Sequence, residues 1–480
     1  MKKQWKGGKE EVFRERRNQM DIASDYVDYA RGSRFKDLPP KVVDYAKILI
    51  LDTLGVIIAG SSAKGIGTFA DLLKDWGGKP ESSIFIYGDK VPAPNAVACN
   101  AAMARANDFD AFHEKAMVHV TAPIVPGCLA VAEKVGGING QDFLNAIVLG
   151  IEIMARLGLS LESLFLKTGF QTTNHIGSFG NAMAAGKLLQ LDRQKMIHAL
   201  GITYGQIAGT MQTTVEGTVM VRLQQGFAAQ IGIFSAILAE RGIDGPQEVF
   251  QGKFGYFPVF HQNRYDPALA TRGLGREYEI TNVSIKSFPC CFLCHFAISA
   301  MLQLRQEEKI DPQEVDQIRV RINQGVFNVV CDPLPSKRNT TTAAEALFSL
   351  PYTVASALVR GHVILEDFTP EAIQDPRVRE IAQKVTPVVD EEIEKEYGRV
   401  MGPAVVEVSL KNGRKTSRRV DMVKGHPQKP MSMADCEEKF RACLGSPAKP
   451  LGERKASALI KAVRNLETVS DVSQIVDYLR

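Results

Sequence analysis

The hydrophobic pattern of this chain changes near Asn282, and the change predicts two structurally different parts. Before that point apolar residues recur at helical steps, as Phe143, Ile147, Ile151 and Met154 do. After it, β-branched runs alternate with helical segments, and the chain returns to helix near its C-terminus. The sequence therefore predicts a mainly α protein with a smaller α+β part.

The second part contains recognisable strand and turn signals. Asn412-Gly413 lies between two β-branched runs and predicts the tight turn of a β-hairpin. The predicted strands are Val283–Phe288, Gln317–Asn323, Val405–Leu410 and Thr416–Val423. The predicted helices of this part and the C-terminus are Phe296–Glu308, Ala343–Arg360, Pro370–Lys384, Ser432–Cys443 and Ser457–Glu467.

Composition and charge exclude several classes of protein. Of the 480 residues, 45% are hydrophobic and 23% are charged, as in folded chains and unlike disordered or collagen-like ones. The formal net charge of +4 arises within residues 1–20, where seven Lys/Arg face three Asp/Glu. The rest of the chain is neutral, so we expect no nucleic-acid partner.

Export and membrane insertion are not predicted either. The basic start continues without the apolar run of a secretory signal. Apolar segments at 48–59 and 146–159 carry Asp52 in the first and Glu152 and Arg156 in the second, which predicts buried core helices. We expect a cytoplasmic protein with no membrane partner, whose eight scattered cysteines are reduced thiols.

Three motifs resemble cofactor sites but lack a necessary feature. Cys291-Phe292-Leu293-Cys294-His295 has the spelling of a haem attachment site, but no export signal precedes it and no second ligand pair follows for zinc. His113 and His119 are six residues apart, too far to share a helical face as in zinc proteases. Gly186-Lys187 is followed by Leu188 where a phosphate loop needs Ser or Thr. We therefore expect no metal and no nucleotide cofactor.

Residues 107–119 concentrate titratable groups between helical stretches. Asp108, Asp110, His113 and His119 all fall within this segment. Loops that carry carboxylates and imidazoles together are common sites of acid/base chemistry, although solvated loop charges give the same pattern. The segment is a candidate active-site loop.

Several longer segments together resemble the MmgE/PrpD family, which includes 2-methylcitrate dehydratase and cis-aconitate decarboxylase. The resemblance covers about residues 22–445. It rests on the spellings Ala46–Gly55, Asp108-Phe109-Asp110, Gly180–Leu191, Glu216–Gly226, Lys286–His295, Ala343–Tyr352 and Lys424-Gly425-His426-Pro427. It implies a cofactor-free homodimer that acts on small di- and tricarboxylates.

The resemblance also implies a domain organisation. A large all-helical domain is formed by both chain ends, and a smaller α+β lid domain is inserted between them. The predicted boundaries are a basic N-terminal arm at 1–21, the first part of the helical domain at 22–278, the lid domain at 279–423 and the helical return at 424–480.

Catalytic roles carry over to three matching positions. The resemblance implies Asp108 as an orienting or proton-accepting carboxylate, His119 as the acid/base and Lys286 as the cation beside the developing negative charge. Arg222 would grip a substrate carboxylate through its forked donors. His113, Gln171 and Gln224 are the further substrate-binding candidates.

The chain departs from the family pattern at several positions. Val221 stands where relatives typically have Lys, and Gln224 and Gln171 stand where they have His; Ala111-Phe112 replaces Asp-Thr at the end of the acidic segment. Neutral groups thus replace a cation and imidazoles, which indicates a less anionic substrate. His113 and His175 are candidates to compensate.

Three functions remain open at this point. The first is a cofactor-independent lyase, either a dehydratase or a decarboxylase, acting on a small di- or tricarboxylate in an interdomain cleft. The second is an isomerase or epimerase of a small carboxylate, because proton removal beside a carboxylate needs only an acid/base pair and an anion clamp; iminodisuccinate epimerases resemble this family too. The third is a non-catalytic binding protein.

Overall fold

The computed structural model describes residues 21–161, 168–398, 401–445 and 447–480. The predicted basic arm, 1–21, lies outside these residues except for Asp21. The Asp21 carboxylate accepts a hydrogen bond from the Ala23 amide at 2.9 Å and caps the first helix. Such capping satisfies amide groups that have no partner within the helix.

Helices dominate the part before residue 282. Asn139 Oδ1 accepts from the Asp142 amide at 2.9 Å and starts α6, the central buried helix. The helices are α1 (Ile22–Gly32), α2 (Pro40–Gly60), α3 (Ile66–Trp76), α4 (Ala93–Arg105), α5 (Thr121–Val135), α6 (Gly140–Ser160), α7 (Thr172–Leu188), α8 (Arg193–Tyr204), α9 (Gln212–Val215), α10 (Met220–Glu240), α11 (Tyr256–His261) and α12 (Pro267–Thr271). Two-residue strands accompany them: β1 (Ser82–Ser83) pairs with β2 (Lys90–Val91), and β3 (Phe112–His113) pairs with β4 (Val283–Ser284).

The part after residue 282 combines helices with a four-stranded sheet. Its helices are α13 (His295–Glu308), α14 (Gln324–Val330), α15 (Leu334–Arg338), α16 (Ala343–Leu347), α17 (Leu350–Arg360), α18 (Pro370–Ile373), α19 (Pro376–Lys384) and α20 (Glu391–Tyr397). The sheet contains β5 (Val315–Ile322), β6 (Val385–Val389), β7 (Ala404–Leu410) and β8 (Lys415–Val420). The C-terminal segment is helical again, with α21 (Met433–Ala442), α22 (Glu453–Arg464) and α23 (Ser473–Val476).

The sheet has the order β6-β5-β7-β8 and mixed direction. β5 pairs parallel with β6 and antiparallel with β7, and β7 and β8 form the predicted hairpin. Gly413 adopts a φ of 85° in the turn, a conformation that glycine reaches without steric cost. The burial of β7 alternates along the strand, so one face of the sheet packs inward.

Two hydrophobic cores organise the molecule. The first core draws on residues from Ile22 to Ile285 and again from Met431 to Leu479, so both chain ends contribute to it. The second core is built from residues between Cys290 and Val423, joined by Phe112. The predicted mainly α fold with a smaller α+β part is confirmed.

Close helix packing brings α4 and α10 together. A Cβ atom on Gly226 of α10 would collide with the backbone carbonyl of Ala98 on α4. Glycine at this position therefore allows the two helix backbones to approach, as small residues at helix contacts generally do. Both helices carry residues of the candidate site described below.

Several predicted elements differ from the structure in extent: the predicted helix Pro370–Lys384 is divided into α18 and α19, and the predicted helix Ser457–Glu467 is found as Glu453–Arg464. Two further cases have a visible cause. In the predicted strand Val283–Phe288, only Val283 and Ser284 pair, because the chain then turns inward and buries Lys286. The predicted helix Ala343–Arg360 is divided into α16 and α17. Ser349 caps α17 by accepting from the Tyr352 amide at 3.0 Å, which fixes a new helix start.

One helix among the described residues, α6, is long and apolar enough to cross a membrane by length and composition alone. It is buried inside the protein along almost its whole length. Glu152 and Arg156 pair on it at 3.2 Å, one helical turn apart. This is the arrangement of a core helix, as the sequence predicts for 146–159.

Candidate active site

A cavity lies against the second core, and we call it the site cavity. The residues before position 282 that line it come mainly from the end of α4, from the acidic loop (residues 106–120), from the start of α7 and from α10. Its second-core residues include Phe292 and Leu293, and Lys286 lies just before them. Asp108, His119, Lys286 and Gln171, all predicted site residues, line it together.

Asp108 forms ion pairs with two cationic side chains, Arg105 and Lys286, in the site cavity. Arg105, the last residue of α4, contacts the Asp108 carboxylate through Nη1. Lys286 Nζ lies 3.0 Å from Asp108 Oδ2 and donates to the Asp108 carbonyl at 2.7 Å. Burial raises the pKa of the Asp108 carboxyl, but Arg105 and Lys286 outweigh burial and hold that pKa well below its usual range. Asp108 is therefore ionised at neutral pH.

The backbone at Asp108 has an unusual conformation. Its φ is 48°, in the left-handed region that Asp and Asn tolerate better than most residues. The turn directs both the carboxylate and the carbonyl of Asp108 to Lys286. A buried ammonium needs several oxygen partners, and Asp108 alone provides two of them.

His119 is the imidazole of the site cavity. Its Nδ1 lies 2.9 Å from Asp110 Oδ2, and its ring is 4.8 Å from the Phe112 ring. Burial and then Arg105 lower the pKa of His119, although Asp110 opposes them, so the ring is neutral near pH 7. A carboxylate at Nδ1 favours the proton on that nitrogen and leaves the lone pair of Nε2 for a bound molecule.

The C-terminal return supports the acidic loop from behind. Lys439 of α21 lies 2.6 Å from Asp52 Oδ1 of α2 and donates to the Phe109 carbonyl at 2.9 Å. Its Nζ also lies 3.8 Å from the centroid of the Phe109 ring, a cation–π contact. A residue close to the C-terminus thus fixes the position of Asp108 and Asp110.

The start of α7 faces the site cavity and favours negative charge there. Gln171, Thr173 and Asn174 line the cavity, and Thr173 Oγ1 accepts from the His119 amide at 3.3 Å. The N-terminus of a helix carries a partial positive charge. This end of the cavity is therefore suited to a carboxylate.

Arg222 lies beside the site cavity rather than in it. It lines a narrow space between Gly217 and Ala344, which we call the side recess. Arg105 and Asp108 line both spaces, so the side recess adjoins the site cavity. Burial and then Arg105 lower the pKa of Arg222 to about 10, which leaves it charged at neutral pH.

Two predicted binding residues face elsewhere. His113 Nε2 lies 3.2 Å from Glu279 Oε2, and its Nδ1 accepts from the Ala116 amide at 3.1 Å. Gln224 bonds to both backbone groups of Thr210 and to Thr213 Oγ1. Neither side chain lines the site cavity. His175, the other candidate to compensate, is packed among aromatic rings of Phe170 and Phe260.

Several residues of the site were not predicted from the sequence. Arg105, Gln225 and Asn174 line the site cavity. Asp110 was expected in the candidate active-site loop but without a role of its own, and it orients His119. Arg105 has a sequence signal, since it lies three residues before Asp108, a spacing that brings charged pairs together at a helix end. For Gln225 and Asn174 the sequence offers no such signal.

Asp108, Asp110 and His119 offer ligand atoms within 4.8 Å of one another, close enough to hold a metal ion. The charges around them argue against this use. Arg105 contacts both carboxylates and Lys286 contacts Asp108. A metal cation would have to displace or repel these two cations. The arrangement therefore fits an organic anion better than a metal.

Comparison with known proteins identifies one family. Residues 24–267 match the model of the MmgE/PrpD N-terminal domain, and residues 288–468 match that of the MmgE/PrpD C-terminal domain. The chain is 29% identical to the cis-aconitate decarboxylase-like protein oryM of Aspergillus oryzae, covering 95% of this chain and 96% of the relative. It is 28% identical to human cis-aconitate decarboxylase, covering 96% and 94%. It is 24% identical to the mitochondrial 2-methylcitrate dehydratase of Yarrowia lipolytica, covering 83% and 78%.

Proposed function

Because the chain belongs to the MmgE/PrpD family, we propose that it is a lyase that eliminates water or carbon dioxide from a small carboxylate. The site cavity is its proposed active site, and acid/base chemistry without a cofactor is its proposed mechanism. The relatives named as decarboxylases and dehydratases support the lyase class. The observation that carries the proposal is the meeting of His119, Asp108 and Lys286 around one cavity.

In a dehydration, His119 begins the reaction. Its Nε2 takes the proton from the carbon beside a substrate carboxylate, and Asp110 stabilises the imidazolium that forms. The electron pair of the broken C–H bond becomes the new C=C bond, and the hydroxyl leaves as water after receiving the proton back from the His119 imidazolium. Lys286 and Arg105 stabilise the enolate-like charge that develops in between.

In a decarboxylation the order of bond changes is different. The bond to the leaving carboxylate breaks first, and its electron pair is delocalised towards a remaining carboxylate. Carbon dioxide departs, and His119, after taking up a proton from water, donates that proton to the carbon that has lost its carboxylate. The same three groups serve both reactions, so the substrate decides which of them occurs.

An exchange experiment separates the candidate functions. The protein is incubated with a panel of hydroxy and unsaturated carboxylic acids in deuterated water, and the acids are followed by NMR. Loss of water or carbon dioxide supports the lyase. Deuterium incorporation without net loss favours an isomerase, which shares the proton-removal step. Absence of both across the panel contradicts catalysis and favours the binding protein.

Two substitutions test the assignment of roles. His119→Ala removes the acid/base and Lys286→Met removes the cation while retaining a long side chain. Each should lower kcat/KM at least about a hundredfold, as the loss of a transition-state donor commonly does. His362→Ala is the control, because this half-exposed histidine pairs with Asp367 and does not line the site cavity. Near-normal turnover in both folded site variants would refute the assignment.

A further inference from the structure

The two cationic side chains of the site cavity, Arg105 and Lys286, already form ion pairs with carboxylates of the protein. Arg105 and Lys286 contact Asp108, and Arg105 also lies 3.4 Å from Asp110 Oδ1. Two positive and two negative side chains thus balance while His119 is neutral. Arg222 in the side recess adds one positive charge that no carboxylate among the described residues pairs with. This excess matches one substrate carboxylate and does not match three.

The donors left for a ligand are mostly neutral amides. Gln225 and Asn174 are 1% and 2% exposed and line the site cavity. The side-chain nitrogens of both, Nε2 and Nδ2, have no hydrogen-bond partner among the described residues. Buried unpaired donors of this kind are costly, so a ligand oxygen that accepts from them is favoured. An amide binds a hydroxyl or carboxylate oxygen but adds no positive charge.

Much of the remaining wall is apolar. Phe112 stacks against Phe292 with ring centroids 6.4 Å apart, and the apolar wall begins beside the His119 imidazole. Val221 lines both the site cavity and the side recess, as Arg105 does, and Arg222 lines the side recess with them. Leu293 and Phe348 continue this surface. Such a wall binds carbon and repels a further carboxylate, which would lose its hydration there.

We infer that the substrate of this site is an acid with at most two carboxylates that carries an alkyl or aryl group where a tricarboxylic acid has its third carboxylate. One carboxylate binds Arg222 and Arg105, the amides of Asn174 and Gln225 bind polar oxygens, and the apolar group lies against Phe112, Phe292 and Val221. The inference rests on the proposed function of the site cavity and specifies its substrate class.

A set of unreactive acids tests this directly. Glutarate, 3-methylglutarate, 3-propylglutarate and tricarballylate share one backbone and differ only at the central carbon. Their affinities are measured by isothermal titration calorimetry on the full chain at pH 7.5 and constant ionic strength. We expect 3-propylglutarate to bind about tenfold or more tighter than 3-methylglutarate, since each methylene removed from water contributes about fourfold. Tricarballylate should bind more weakly than glutarate.

Two variants at Val221 test whether the apolar group of the ligand lies against this residue. Val221→Lys adds a cation to the wall that the site cavity and the side recess share, and it should shift the affinity ratio at least about tenfold in favour of tricarballylate. Val221→Met has similar length without charge and should retain the preference for 3-propylglutarate. An unchanged ratio in the folded Lys variant would overturn the placement of the ligand.

The remaining outcomes are also decisive. Tighter binding of tricarballylate to the wild-type protein, or equal affinity for methyl and propyl derivatives, overturns the substrate class but leaves the lyase proposal intact. Failure of all four acids to bind contradicts both the substrate class and a carboxylate site in this cavity.

Discussion

Lys286 lies far from the acidic loop in sequence, but its ammonium group binds Asp108 of that loop. It is 1% exposed, and its charge is compensated by the carboxylate and the carbonyl of Asp108. Removing one partner of such a buried pair leaves an uncompensated charge. Asp108 and Lys286 therefore act together, and substitution of either should disturb both charge and geometry.

The pH dependence of turnover provides a test at His119. Burial and Arg105 hold the pKa of His119 below the ordinary value of 6.5. A reaction that starts from the neutral ring is active above this pKa and is lost as the pH falls through it. Arg105→Gln removes one of the two cations, Arg105 and Lys286, that lower the pKa of His119, so the acidic limb of the kcat/KM profile should move to higher pH.

Arg222→Gln is the control for that shift. Arg222 carries a charge beside the cavity but is not among the groups that perturb His119. This variant should raise KM and leave the acidic limb where it is. A limb that stays unchanged in Arg105→Gln, with the fold verified by circular dichroism, would exclude His119 as the titrating base.

The site residues that could be predicted from the sequence have one property in common. Asp108, His119 and Lys286 are charged or titratable groups in recognisable segments, and all three line the site cavity. His113 shares their segment, but it lies in β3, whose pairing with β4 brings its side chain to Glu279. Gln225 is adjacent to the predicted Gln224 on α10, and helical rotation alone decides which of them faces the cavity.

At the scale of secondary-structure elements, the hydrophobic pattern of the sequence predicted the long helices and the hairpin better than it predicted the whole sheet. The predicted helix Ser432–Cys443 is found as Met433–Ala442, and the strand Gln317–Asn323 as Val315–Ile322. β6 was not predicted, because Pro387 interrupts its pattern. Proline is tolerated there because β6 is an edge strand of the sheet. The position of a strand in a sheet depends on pairing with strands that are distant in sequence. The local sequence pattern carries no information about that pairing.

Lys439 of α21 joins α2 to the acidic loop, and we expect this contact to stabilise the protein. Lys439→Met leaves the Asp52 carboxylate buried without its cation and should lower the free energy of unfolding by about 3 kcal/mol. The double variant Asp52→Asn/Lys439→Met should be less destabilised than the two single effects summed. Urea unfolding followed by circular dichroism measures all three.

A surface pair is the matched control. Lys424 and Asp435 form an ion pair whose side chains are 49% and 28% exposed. Lys424→Met should cost less than about 1 kcal/mol, as exposed pairs generally do. Equal losses for Lys424→Met and Lys439→Met would contradict a special role for the buried pair.

At the scale of the whole molecule, exposed apolar residues on two neighbouring helices suit the homodimer that the family resemblance implies. Phe69 of α3 contacts Phe227 of α10, with ring centroids 5.9 Å apart, so these helices are neighbours. On the same helices Leu72, Trp76 and Phe234 are 43%, 65% and 42% exposed. Exposed large apolar residues are commonly found at protein interfaces.

Light scattering during size exclusion tests the assembly. We expect the mass of two chains for the wild-type protein and of one chain for Trp76→Glu/Phe234→Glu, because buried charges oppose association. Phe254→Glu is the control, since Phe254 is 71% exposed but lies outside α3 and α10. A monomeric wild-type protein would contradict the dimer.

The composition of the first core has a consequence for biosynthesis. Its last contributors lie between Met431 and Leu479, whereas the second core needs little beyond Val423. During translation, domains generally fold as their residues emerge from the ribosome. Here the first core cannot be completed before residues 431–479 have left the exit tunnel, while the portion synthesised in between can fold earlier. The earlier helices of the first core, whose apolar faces are still uncovered, are therefore expected to bind chaperones until those residues emerge.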